Sequence, residues 1–236
     1  MSLQTDHCEL APSVKIEGCR SCGSPKLRSF LDLGTTPLAD RLLMEEDLGQ
    51  PELVSPLDVV FCEECCLVQI TETVSPEVLF CQNYPYFSSV SKSLMEHFGG
   101  SAQQILQDRS LDSSSLVMEA ASNDGYMLKH FVEAGVPVLG IDPADGPAKS
   151  AEERGVKTLN TFFTQELAEE LREEGNQADV FLANNVLANV ADLNGFTSGI
   201  AAVLKDDGVA VIECPYLLDL IEHCEFDTIY HQHLCY

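Results

Sequence analysis

Basic residues are scarce in this sequence: 13 Lys and Arg stand against 38 Asp and Glu, a formal net charge of −25 over 236 residues. A polyanionic backbone would be repelled over most of such a surface, which argues against a nucleic-acid partner. Most of the acids are read as serving solubility. An anionic small molecule would therefore need the few cations, such as Arg20, Lys26, Arg28 and Arg41, gathered around it locally. Long apolar runs are missing too. None reaches the ~18 residues that cross a bilayer, and Met1–Gly18 lacks the basic region, apolar stretch and cleavage site of a secretory leader. A cytoplasmic protein with no membrane attachment is expected. Internal repeats and low-complexity tracts are also absent. With 45% apolar residues the chain can bury a proper core, in one domain or in one domain plus a small module.

Cysteine is what the first third has in abundance. Cys19-Arg-Ser-Cys22 and Cys62-Glu-Glu-Cys65 are two C-x-x-C knuckles, the spacing at which four thiolates close around a tetrahedral zinc ion. Four cysteines leave no open coordination position, so a structural rather than a catalytic Zn²⁺ is expected, and a redox pair would not need the second knuckle. The spacing selects Cys65 over its neighbour Cys66. Cys8, Cys81, Cys214, Cys224 and Cys235 are read as buried or incidental thiols.

From Leu116 onward the chain alternates apolar runs with amphipathic segments. Strands are expected at 116–119, 136–141, 156–159, 178–183 and 208–213. Helices are expected at 124–134, 146–154, 164–174, with Thr164 as the cap, and 193–204. This order predicts an α/β fold with a parallel sheet covered on both faces. Three regions result: a zinc-binding module over 1–82, a connector over 83–115 whose Leu94 and Phe98 share a helical face, and the α/β domain over 116–236. In parallel sheets ligands sit at the carboxyl ends of strands, here at Glu119-Ala-Ala-Ser-Asn-Asp-Gly125. That loop has one glycine where a pyrophosphate-binding fingerprint needs several, which disfavours NAD and favours a cofactor without phosphates, such as S-adenosylmethionine. Asp142, at the end of the second strand, is placed to accept hydrogen bonds from both hydroxyls of a ribose. Asn184 and Asn185 end the fourth strand at the same edge.

The motifs taken together carry a resemblance. They are C-R-x-C-G at 19–23, P-L-D-V at 56–59, Y-P-Y-F-S-S at 84–89, E-A-A-S-N-D-G-Y at 119–126, G-I-D-P-A at 140–144, N-N-V-L-A at 184–188 and F-D-T-I-Y-H-Q-H at 226–233. In this order they closely resemble the sugar C-methyltransferases of antibiotic deoxysugar pathways. The resemblance implies a Rossmann-like class I methyltransferase sheet behind a zinc module. It also implies methylation, with S-adenosylmethionine, of the carbon beside the ketone of a nucleotide-linked 4-keto-deoxysugar. By the same resemblance His233 is the base that generates the enolate, Tyr230 binds the sugar or the developing oxyanion, and His231 orients the loop. Glu119, Ser122, Asn123, Gly125, Asp142 and Asn185 would line the cofactor site, with Tyr84, Tyr86 and Ser89 closing over it.

Two positions depart from the family pattern: Asn189 replaces a histidine, and Gln232 replaces a glutamate that could raise the basicity of an imidazole. Relatives also continue past the histidine motif. The sheet is therefore expected to stop at its fifth strand, an unpaired edge, either because the sequence is a fragment or because a partner or a second copy completes it, with Ile229, Leu234 and Tyr236 otherwise lacking a place to pack. A catalytically weak cofactor-binding relative and a methyltransferase acting on oxygen or nitrogen remain the alternative readings.

Overall fold

The computed structural model describes residues 8–81 and 84–236. Met1–His7 and the expected module boundary at residues 82 and 83 lie outside them. The chain divides into two units, one comprising residues 1–85, 188–193 and 214–236, the other 86–187 and 194–213.

In the first unit, strands β1 (Cys8–Leu10), β2 (Ser13–Lys15), β3 (Leu27–Pro37), β4 (Glu52–Cys62), β5 (Val68–Ile70) and β6 (Glu72–Val74) form two small sheets. β4 is central. It pairs with β3 and β5 antiparallel and with β1 parallel, while β2 and β6 form a separate ribbon. Pro56, which has no N–H to give the ladder, lies opposite Thr35, and the register shifts between Asp32 and Thr35, where Gly34 takes a φ of 74°. Leu57, Val59, Val68 and Ile70 make a core that also takes in Leu234 and Cys235, with Ile229 and Tyr236 against it. The three hydrophobic residues expected to need a partner chain therefore pack against the zinc module. The segment 214–236, read from sequence as part of the α/β domain, clusters with the first unit because its apolar side chains and backbone amides are satisfied there.

The second unit opens with helix α1 (Lys92–Arg109), capped by Ser91, whose hydroxyl accepts from the Leu94 N–H. Phe98, Ala102 and Ile105 form its buried face, and Leu94 packs beside them. Strands β7 (Val117–Ala120), β8 (Val138–Ile141), β9 (Thr158–Leu159), β10 (Ala178–Asn184) and β11 (Leu204–Glu213) alternate with α2 (Leu128–Glu133), α3 (Asp145–Glu153), α4 (Gln165–Glu173) and α5 (Leu193–Val203); α6 (Leu217–Glu222) belongs to the first unit. All pairings are parallel, in the order β11-β10-β7-β8-β9. The expected alternation is present, and Thr164 caps α4 by accepting from the Leu167 N–H. Helix α2 starts later than the periodicity suggests, because Asn123 (φ 48°) and Gly125 (φ 74°) hold the preceding residues in left-handed turns. Among the described residues β11 pairs only with β10. The chain leaves β7 for β8 and β9 on one side, then returns to β10 and β11 on the other, so the carboxyl ends of β7 and β10 bound the crevice where such sheets take ligands.

Candidate functional site

The first knuckle precedes β3, and the second begins at the last residue of β4. The two meet so that the sulfur atoms of Cys19, Cys22, Cys62 and Cys65 all lie within 4.8 Å of one another. Cys19 and Cys65 are 3.5 Å apart and Cys22 and Cys62 3.6 Å, near the ~3.8 Å edge of a tetrahedron with ~2.3 Å zinc–sulfur bonds and far beyond a disulfide. The donor set fits zinc, and these four residues would hold it. Burial works to raise the Cys19 thiol, but hydrogen bonds from the Cys22 backbone, the Gln69 side chain and the Ser21 backbone outweigh it and draw the thiol down to about 6, which favours a thiolate ligand. Cys66, in a left-handed turn (φ 66°), is exposed and stands outside the cluster.

In the second unit the crevice is built on buried carboxylates. Glu119, on β7, is wholly buried; its Oε1 accepts from the Tyr126 hydroxyl at 2.9 Å and from Asn184 Nδ2 at 3.0 Å, while its Oε2 has no partner among the described residues. Burial pushes this carboxyl up to about 8, against the pull of the two hydrogen bonds, and Asp142 and Asp124 add to the rise. Asp142 follows β8. Its carboxylate accepts from the Ala144 and Asn123 backbone N–H groups at 2.9 and 2.8 Å, and burial lifts it to about 6. Ser122 is wholly buried beneath the loop, packed so closely on β8 that a Cβ on Gly140 would meet its hydroxyl at 2.5 Å. An orphaned carboxylate oxygen and an Asp142 held by two amides, in a loop with one glycine, suit a ligand that offers hydroxyl or ammonium donors rather than a pyrophosphate.

The tyrosine motif divides. Asn123 accepts at Oδ1 from the Ser88 N–H (2.9 Å) and donates from Nδ2 to the Tyr86 carbonyl (3.1 Å), and the Ser89 hydroxyl donates to Asp124 Oδ2 (2.5 Å). Tyr86 and Ser89 are thus strapped to the loop after β7, and the side chain of Asn123 is occupied in holding them. Tyr84 belongs to the first unit, where it packs edge-on to Phe80 and lines a cavity with Leu38, Asp40, Arg41 and Leu79. Asn185, at φ 52°, is exposed; its Nδ2 donates to Glu213 Oε1 at 3.1 Å, and His97 Nε2 donates to the other oxygen of Glu213 at 2.6 Å.

The histidine motif lies in the first unit. His233 Nδ1 faces the Thr228 carbonyl at 2.9 Å, an acceptor only, so that nitrogen carries the hydrogen; Nε2 then accepts from the Tyr230 hydroxyl at 3.1 Å. Burial lowers the imidazole below its ordinary 6.5, although Thr228 and Asp40 pull the other way. His231 donates from Nε2 to the Ser55 and Pro56 carbonyls, both at 3.1 Å, which fixes it to β4. Gln232 is buried, and its Nε2 has no partner among the described residues.

Sequence reasoning missed Asn184, Tyr126 and Asp124. Asp124, wholly buried, takes an ion pair from Arg154 at 2.9 Å. The doubled Asn184-Asn185 was a signal, but it does not say which asparagine turns inward. Of the four cations singled out, Arg20 is tied to the Ile70 and Glu72 carbonyls, Lys26 pairs with Glu64 and Arg28 with Glu63, whereas Arg41 lines the cavity beside Tyr84. No helix among the described residues is long and apolar enough to cross a membrane.

Comparison with known proteins gives two family matches. Residues 19–80 match the model described as "Putative zinc binding domain", and residues 95–236 the one described as "Methyltransferase domain". The chain is similar to the C-methyltransferase NovU of Streptomyces niveus, 36% identical over 221 residues, which is 94% of this chain and 52% of that one. It is 27% identical over 123 residues to a ubiquinone biosynthesis O-methyltransferase of Azorhizobium caulinodans, covering 50% of this chain and 46% of that one. The chain spans about half the length of these curated relatives. Among solved structures, magnesium protoporphyrin IX methyltransferase (ChlM) from Synechocystis PCC 6803 with bound SAH aligns with a TM-score of 0.44 at 16% identity, over 60% of this chain and 65% of that one.

Proposed function

The chain belongs to the methyltransferase-domain family, and we propose that it uses S-adenosylmethionine to methylate the carbon beside the ketone of a nucleotide-linked keto-sugar. The observation that carries this reading is the His233 imidazole, whose Nδ1–H is held by a carbonyl and whose Nε2 is a base with only a hydroxyl hydrogen to accept. S-adenosylmethionine, when bound, supplies an electrophilic methyl group on a sulfonium. Asp142 would accept from its ribose hydroxyls with the lone pairs its two amide partners leave free, and Glu119, once ionised, would accept at Oε2 from a donor on the same ligand. Asn123, Gly125 and Ser89 hold the loop, Ser122 underpins it, and Tyr86 and Asn185 stand at its rim; Tyr84 belongs with the acceptor. His233 Nε2 takes the proton from the acidic carbon, and the Tyr230 hydroxyl, freed from the imidazole, donates to the developing enolate oxygen. Of Arg20, Lys26, Arg28 and Arg41, the last, which lines the cavity beside Tyr84, is the one placed to meet the phosphates. A structural Zn²⁺ on Cys19, Cys22, Cys62 and Cys65 completes the assignment.

A second reading, transfer to oxygen, is favoured by the O-methyltransferase similarity, and the same Nε2 could deprotonate a hydroxyl. Incubation with S-adenosylmethionine and nucleotide-linked 4-keto-deoxysugars, followed by mass and carbon NMR analysis, separates the two. A new carbon–carbon bond is expected, and a methyl ether would overturn the proposal. His233→Ala should abolish turnover yet leave S-adenosylhomocysteine affinity unchanged. Because the imidazole is lowered by burial, the acid limb of kcat/KM should fall below pH 6.5. Arg41→Ala should raise KM for the sugar nucleotide about tenfold, a hydrogen bond to a charged group being worth ~1.5–3 kcal/mol.

A further inference from the structure

The zinc cluster and the histidine motif meet at Gln69. Its backbone forms an antiparallel bridge with Cys235. On either side the Ile70 N–H donates to the Leu234 carbonyl at 3.0 Å and the Tyr236 N–H to the Val68 carbonyl at 2.9 Å. Its side chain is wholly buried and turns to the first knuckle: Nε2 donates to Cys19 Sγ at 3.1 Å, and Oε1 accepts from the Arg20 N–H at 3.0 Å. A primary amide offers a donor to a thiolate and, on a separate atom, an acceptor to a backbone N–H without adding charge. Arg20, between the first two cysteines, reinforces the junction by donating from Nη2 to the Ile70 carbonyl at 3.2 Å. The motif is held from its other end by His231, on β4, the strand that ends in Cys62. Two attachments of the histidine segment thus run to strands that adjoin the cluster, at Gln69 and on β4, while a third takes the Leu234 and Cys235 N–H groups to the Ala188 carbonyl.

We infer that Gln69 is a positioning residue that couples the four-cysteine cluster to the C-terminal segment, so that a zinc ion held there fixes where Tyr230 and His233 stand. Its catalytic consequence rests on the reading of His233 as the base; the coupling itself does not. Groups that hydrogen-bond to metal ligands orient them, and losing one costs about 10–100-fold in metal affinity or activity. A glutamine that merely fills space would leave the histidines indifferent to its replacement by an apolar residue of similar size.

The test is Gln69→Leu in the zinc-loaded protein labelled with 13C-histidine, its six histidines assigned by single replacements. The imidazole signals of His231 and His233 should shift or broaden while those of His97 and His130, in the other unit, stay in place. Zinc should pass to a chromogenic chelator at least about tenfold faster, and kcat should fall by about the same factor. The KM for S-adenosylmethionine and the affinity for S-adenosylhomocysteine should not change. Should the variant fail to fold, exchange of cadmium for zinc in the unaltered chain gives the same readout, because longer metal–sulfur bonds displace Cys19 Sγ. Signals of His231 and His233 that remain in place under the perturbation would overturn the coupling. A failed methyltransferase reading looks different: the unaltered protein shows no turnover while the histidine signals still respond.

Discussion

In the unit built on the parallel sheet, two buried carboxylates are held by neutral donors, Tyr126 and Asn184 on Glu119 and backbone amides on Asp142, and a third, Asp124, by Arg154. In the unit that carries the knuckles, buried polar atoms converge on sulfur, with Gln69 on Cys19 and four thiols in one cluster. The first arrangement is organised by an apolar core around Phe131, Leu128, Val117 and Leu182. The second surrounds its sulfur atoms with a smaller core, so a metal ion must replace what hydrophobic burial supplies elsewhere.

Removing the metal should break this comparison most sharply. Structural zinc contributes about 10–16 kcal/mol to small modules, so chelation or Cys62→Ser should unfold the first unit outright. Circular dichroism melting with parallel calorimetry should show one transition lost and S-adenosylhomocysteine affinity retained; joint loss of both would mean that the sheet depends on the module.

Within the sheet unit the charge on Glu119 is the next lever. Its folded-state carboxyl lies at about 8 against an ordinary 4.5, so the native protein keeps a proton that the unfolded chain sheds as pH rises between those values. Stability contributed by this group is therefore full below pH 4.5 and is lost towards pH 8. Glu119→Gln should flatten that slope and gain at least about 2 kcal/mol at the alkaline end relative to the acid end, read by urea denaturation at several pH values. The same variant should weaken S-adenosylhomocysteine binding, because an amide nitrogen replaces the unmatched oxygen.

A pair of glycine substitutions sharpens the contrast further. A Cβ at Gly140 would meet Ser122 Oγ at 2.5 Å and Thr158 Oγ1 at 3.0 Å, whereas one at Gly34 meets nothing within 4 Å. Gly140→Ala should cost about 2–3 kcal/mol by overpacking and loosen the cofactor loop, while Gly34→Ala should cost only the ~1 kcal/mol of its left-handed backbone. Thr164→Ala, which removes the cap on α4, should cost about 1 kcal/mol and leave ligand affinity unchanged.

Local signals carried far here. The C-x-x-C pairs, the order of strands and helices and the Thr164 cap were legible because each is written within a few neighbouring residues. The late start of α2 was not, since Asn123 and Gly125 permit a left-handed turn without requiring one. Nor could charge composition say which cations were already engaged; Lys26 and Arg28 are absorbed by Glu64 and Glu63, which sit in the second knuckle.

By itself, then, the sequence determined the two C-x-x-C pairs, the parallel α/β alternation and a loop after β7 too poor in glycine for a pyrophosphate, all consequences of short-range spacing and period. Only the tertiary structure decided that Asn184 rather than Asn185 turns in to Glu119, that residues 214–236 pack with the zinc module, and that Gln69 reaches Cys19. These are contacts between residues far apart in the chain. They are chosen by which buried donor finds which buried acceptor when the core closes, a condition that no stretch of sequence states alone.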